Sequence, residues 1–158
     1  MRTVRARSVV LGVAFGLLLC GVAAGAAADS PPATHPSEDY SGTLPGPAVA
    51  KQDGISLRTR GDVTVRTFTL TYDPRADSGW HKHPGIVIAV VRSGSVERQV
   101  GCHVETFSAG DSFTEVAPHD VKNVGSVPAV LSITQIFPIG ATAREPADPP
   151  RCPPHHHR

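Results

Sequence analysis

No stretch of this chain carries the 3.6-residue apolar period of an amphipathic helix, and long runs of helix-forming residues are scarce. A helical bundle is therefore excluded as the organising architecture. An excess of one charge is also lacking. The 15 Lys and Arg stand against 14 Asp and Glu, for a formal net charge of +1. The basic residues are scattered, whereas a nucleic-acid partner wants a clustered basic face, so none is expected. There is no G-x-S-x-G and no cysteine set up as a nucleophile, which leaves a serine or cysteine hydrolase without support. No internal repeat appears, so a repeat array is not indicated.

What is present starts with a targeting pattern. Arg2, Arg5 and Arg7 precede the apolar stretch Val9 to Leu19, and small residues lead to Ala26-Ala27-Ala28. A basic start, a short apolar core and an A-x-A site make a secretory signal peptide over residues 1–28. The apolar core is shorter than the roughly 20 residues needed to span a bilayer, so no stable membrane anchor is expected after cleavage. Removing this segment leaves 12 basic against 14 acidic side chains, and the location expected is secreted or extracytoplasmic. Two cysteines stay with the mature chain, Cys102 and Cys152. In an oxidising compartment such a pair suggests a disulfide tying the tail down; the alternative is two thiols too far apart to bridge.

Residues 29–47 are rich in Pro, Ser, Ala and Gly without an apolar period, and read as a flexible leader. His35 falls in it and carries no expected role. Residues 141–158 form a Pro-rich tail ending His155-His156-His157-Arg158. Between them, residues 48–140 read as strands. Val63 to Tyr72 alternates and then changes phase, which suggests a bulge or a strand buried on both faces. Ile86 to Val91 is a continuous apolar run, as for a fully buried strand. Ser93-Gly94 and Ala109-Gly110-Asp111 supply turns, and Val130 to Phe137 makes a last long strand. Short strands with frequent turns predict an all-β sandwich or barrel.

Chemistry gathers in Gly79-Trp80-His81-Lys82-His83-Pro84-Gly85. Histidines at i and i+2 of an extended segment project to one face, so His81 and His83 can converge on one ion. A third, His119, follows Gly110 by nine residues and precedes Asn123 by four. At these residues the chain resembles the cupin superfamily, whose first motif is a Gly, H-x-H, a Glu and a Gly, and whose second runs from a Gly to H-x-x-x-N. His81, His83, Gly94, Gly110, His119 and Asn123 stand in the matching positions between Gly79 and Gly125. Val87 stands where the Glu would be. The stretch Trp80 to Gly85 and Cys152-Pro153 also resembles small exported bacterial cupin-domain proteins.

The resemblance implies a single-domain jelly-roll barrel with metal ligands in its mouth: His81, His83 and His119, holding a divalent ion such as Fe, Zn, Mn or Ni. Three-histidine cupins of similar pattern include iron-dependent dioxygenases. Val87, Ala89 and Val91 would give the ligand-facing side an apolar wall. Glu115 is a candidate replacement ligand or base, against the reading of a strand residue facing solvent. Glu97, Gln99 and Gln135 are further candidates for the interior. His103 reads as surface, and Trp80 as covering the barrel edge or stacking on a ligand. Two functions stay open: a metal-dependent enzyme acting on a small molecule, or a non-catalytic binding or sensory module with a degenerate metal site. A homodimer through the outer strands, using Ile86, Ile88 and Val90, completes the expectations.

Overall fold

The computed structural model describes residues 33–153. The expected signal peptide and the terminal histidine run lie outside the described residues. Twelve strands and no helix occur among them: β1 (Thr34–Leu44), β2 (Val49–Gln52), β3 (Ile55–Arg58), β4 (Val63–Tyr72), β5 (His81–Lys82), β6 (Ile86–Ser93), β7 (Ser95–Val100), β8 (His103–Ser108), β9 (Ser112–Glu115), β10 (His119–Lys122), β11 (Ala129–Pro138) and β12 (Glu145–Pro146). One antiparallel sheet has the order β1-β4-β11-β6-β9, a second β12-β5-β10-β7-β8, and β2 and β3 form a small hairpin. The fold is an all-β jelly roll.

The long strands are rich in Val, Ile, Thr and aromatic residues, whose side chains pack well on a pleated surface. One apolar cluster draws on both sheets. Phe68, Val87 and Leu131 come from the first, and Val96 and Val121 from the second. Gly94 and Gly85 are two of the glycines that space requires. Gly94 turns β6 into β7 at φ +72, and a Cβ there would lie 2.8 Å from the Ala129 Cα. A Cβ on Gly85 would sit 2.0 Å from the Ile136 carbonyl oxygen, so only glycine lets the chain after His83 run against β11.

Three expectations are corrected. Residues 34–44, read as part of a flexible leader, form the edge strand β1, paired with β4 from Thr34↔Tyr72 to Leu44↔Val63. Its side chains are almost all exposed, so it carries no apolar signal. Backbone pairing holds it, with the Arg66–Asp39 ion pair and a 2.7 Å hydrogen bond from Thr69 Oγ1 to Glu38. β6 is not buried on both faces. Val87, Ala89 and Val91 point inward, while Ile86, Ile88 and Val90 are 44%, 42% and 41% exposed. The tail is more than a tether, because its residues Glu145 and Pro146 pair with β5 at Lys82 and His81.

Candidate metal centre

His81 on β5 and His119 on β10 are direct partners across the second sheet. His83 follows β5 by one residue. Their imidazole rings converge, with centroids 4.9 Å apart for His81 and His83, 4.2 Å for His81 and His119, and 5.4 Å for His83 and His119. The fourth member is Glu115, at the end of β9 in the other sheet. Its carboxylate oxygens lie 3.3 Å from His83 Nε2 and 3.3 Å from His119 Nε2. One ligand atom from each of the four residues falls within 4.8 Å of all the others, a spacing that could hold a metal ion.

Hydrogen bonding on the far side of each ring sets its chemistry. Nδ1 of His81 lies 2.8 Å from the Gly79 carbonyl, that of His83 2.7 Å from the Ala143 carbonyl, and that of His119 2.7 Å from the Ala117 carbonyl. A carbonyl only accepts, so each Nδ1 must donate, and the neutral ring then presents an Nε2 lone pair. The Nε2 atoms of His83 and His119 are buried and have no well-directed hydrogen-bond partner. Two lone pairs thus face an acceptor-only carboxylate. Such an arrangement needs a cation between them, a proton or a metal ion, and the nitrogen and oxygen donors suit a divalent metal.

The family model for the cupin domain matches residues 68–136, which include all four of these residues. Residues 68–136 are a cupin domain. Among solved structures, an uncharacterized conserved protein with a double-stranded β-helix domain from Klebsiella pneumoniae is similar at 24% identity and TM-score 0.47, over 53% of this chain and 75% of that one. An oxalate oxidase in complex with the substrate analogue glycolate is similar at 20% identity and TM-score 0.42, over 45% of this chain. The likeness spans only 41% of that oxidase's own length. A sugar phosphate isomerase of the cupin superfamily from Silicibacter pomeroyi is similar at 18% identity and TM-score 0.42, over 45% of this chain and 49% of its own. No curated protein matches the chain.

The carboxylate of this cluster comes from β9, and not from β6 where the resemblance places it. Val87 and Glu115 are Cα partners on the neighbouring strands β6 and β9, and both side chains are buried. Cross-strand partners point to the same face, so Glu115 reaches the space that a Glu at position 87 would reach. The reading of Glu115 as a solvent-facing residue is overturned, since it is only 7% exposed. Its signal was the position opposite Val87, which depends on a strand pairing that spacing alone does not reveal.

Electrostatics follow the geometry. Burial pushes the His81 imidazole down to about 4, against the pull of its Gly79 hydrogen bond. Burial works to raise the Glu115 carboxyl, but the His119 and His83 imidazoles outweigh it and hold that carboxyl at about 2. Burial works to lower His119, and the Glu115 carboxylate outweighs it and moves His119 upward. In the absence of a metal ion the carboxylate thus favours the protonated form of His119. Tyr72, facing the same cavity, is pushed above its usual range by burial and then by the Glu115 and Asp120 charges, and so stays a neutral phenol.

A cavity of about 450 Å³ reaches His81, His83 and Glu115. Gln135, one of the interior candidates, lines it, as do Arg66 and Arg144, which sequence reading passed over. Glu97 and Gln99 sit half-buried on β7 and do not line it. Trp80 is half-buried and also absent from its lining. His103 is exposed, 3.7 Å from Glu105. Asn123 is no ligand: its amide donates to the Tyr72, Asp73 and Val127 carbonyls at 3.2, 3.1 and 2.8 Å, pinning the β10–β11 loop. Cys102 and Cys152 are joined by a disulfide.

Proposed function

We propose that this chain is an exported cupin in which His81, His83, His119 and Glu115 hold one divalent ion, of Fe, Zn, Mn or Ni, and act on a small molecule bound in the adjoining cavity. The observation that carries this reading is the pair of buried Nε2 lone pairs, on His83 and His119, turned toward the Glu115 carboxylate. A bound ion of this kind supplies Lewis acidity to an oxygen of the small molecule. The protein's own part is to present three preset Nε2 atoms, to lower the site's charge by one through Glu115, and to offer the small molecule an apolar patch of Phe68, Leu70 and Ile133 on the cavity wall. Val87, Ala89 and Val91, expected to form that wall, lie in the core and do not line the cavity. The neutral Tyr72 phenol offers a hydrogen-bond donor on the cavity wall. Support for export comes from the basic and apolar start of the chain and from the Cys102–Cys152 disulfide, which persists in oxidising compartments.

The test is elemental analysis and zinc titration of the untagged protein and three variants. Wild type should bind one ion per chain, and His119→Ala should bind none. Glu115→Val should weaken binding by about 10-fold or more, and Val87→Glu in the same chain should restore most of it. A wild type that binds no metal when metal is supplied sinks the reading. Stoichiometric binding that survives His119→Ala would place the ion elsewhere. A metal-loaded protein that binds small molecules without turning any over would favour the sensory or binding module over the enzyme.

A further inference from the structure

The inner face of the first sheet carries one row of partnered residues. Arg66 on β4 pairs with Gln135 on β11, Gln135 with Val87 on β6, and Val87 with Glu115 on β9. The row runs from a guanidinium to the carboxylate of the metal cluster along the wall of one cavity. The Arg66 guanidinium lies over the Phe68 ring, its Cζ 4.5 Å from the centroid. Its Nε donates to both Asp39 oxygens at 2.9 and 3.1 Å, and its Nη2 pairs with the same carboxylate. Asp39 belongs to β1, beside a register shift between Ser37 and Tyr40, where Glu38 takes the left-handed φ of 51. The shift sets Asp39 against one edge of Arg66 and leaves Nη1 toward the cavity.

Nη1 donates to Gln135 Oε1 at 3.5 Å. That contact fixes the direction of the amide, so its Nε2 faces His83 Nδ1 at 3.5 Å. The His83 Nδ1 proton is already given to the Ala143 carbonyl, so two donors meet there and no hydrogen bond forms. Gln135 is only 5% exposed, and its Nε2 therefore has no acceptor among the described residues. A buried donor in that state calls for an acceptor from a ligand. Apart from the metal cluster, the charged side chains lining the cavity are Arg66 and Arg144, both cations, and Arg144 is in no ion pair among the described residues. A divalent ion with one carboxylate ligand adds a further net positive charge. Phe68, Leu70 and Ile133 give the wall an apolar patch, and Thr34, Tyr72 and Ser78 add hydroxyl groups elsewhere.

We infer that Arg66 and Gln135 form the carboxylate-binding end of this cavity, and that its ligand is a small monocarboxylate with an apolar body. Planar acceptor geometry matches an Arg N–H beside an amide N–H, and the single guanidinium edge offers too few donors for a phosphate dianion. Asp39 acts as a positioning residue, holding the guanidinium without touching the ligand. The inference rests on the metal reading in taking this cavity as the working site.

The experiment is calorimetric titration of the zinc-loaded protein with phenylacetate and with phenylacetamide, its neutral counterpart. Wild type should bind the acid about tenfold or more tighter than the amide. Arg66→Met should bring the two affinities together while keeping one zinc per chain, and Asp39→Asn should lower the acid-to-amide ratio in part. If Arg66→Met does not fold, Arg66→Lys keeps the charge, removes the planar fork and should still lower the ratio. Equal affinity for acid and amide in wild type overturns the inference. So does a preference that Arg66→Met and Arg66→Lys leave intact, which would assign the carboxylate to the metal alone. Zinc content separates the two readings: if the chain takes up no zinc the metal reading fails, and the acid-to-amide ratio on the metal-free protein still decides for or against Arg66.

Discussion

Each of the three histidines is fixed by a carbonyl from a different part of the chain: Gly79 for His81, Ala143 for His83 and Ala117 for His119. These bonds leave each Nε2 free for the shared centre, with those of His83 and His119 turned toward Glu115. His81 carries a measurable consequence. Its imidazole sits at about 4 in the fold, against 6.5 as the ordinary value. Between these limits the unfolded chain takes up a proton that the folded chain refuses. The neutral His81 of the metal-free fold therefore costs stability as the pH falls from about 6.5 to 4, by on the order of 3 kcal/mol at most. Urea unfolding of metal-free wild type and His81→Asn at pH 7 and pH 4.5 checks this. Wild type should lose stability relative to the variant at the lower pH, since the difference cancels the opposing contributions of His119 and Glu115. Metal binding should weaken over the same range, because protons compete for the same nitrogens.

At the scale of elements, the tail and β1 decide how the site is dressed. β12 pairs with β5 beside His81, and the two residues before it bring the Ala143 carbonyl to His83 and Arg144 to the cavity rim. The disulfide anchors this tail from Cys152 back to Cys102, 50 residues earlier in the chain. Replacing both cysteines by serine should cost about 2–4 kcal/mol in thermal or denaturant unfolding. It should also weaken zinc binding, because His83 loses part of its orientation when the tail loosens; unchanged zinc affinity would show that β12 holds without the bridge. β1 was hidden in a Pro- and Ser-rich stretch because its stability comes from a backbone ladder and ion pairs rather than from buried side chains. A strand of that kind has no hydrophobic period to detect.

Over the whole molecule, one core shared by two sheets carries the fold. Leu131 is fully buried within it, and Leu131→Ala should cost about 2–5 kcal/mol by denaturant unfolding, with metal stoichiometry retained where the variant folds. Export would be read from the intact mass of the mature chain, expected to begin at Asp29; a chain still carrying residues 1–28 outside the cytoplasm would contradict the signal-peptide reading. Read alone, the sequence determines the all-β class, the turns at Gly94 and Gly110, and the three histidines. These depend on local patterns: alternation with period two, glycine at left-handed positions, and H-x-H on an extended segment. Tertiary structure decided the rest. Only strand pairing sets Glu115 opposite Val87 and Arg66 opposite Gln135, because partners across a sheet can lie tens of residues apart in the chain and their register follows from the whole fold. The three histidines locate the site, and the sheet supplies its carboxylate and its cation.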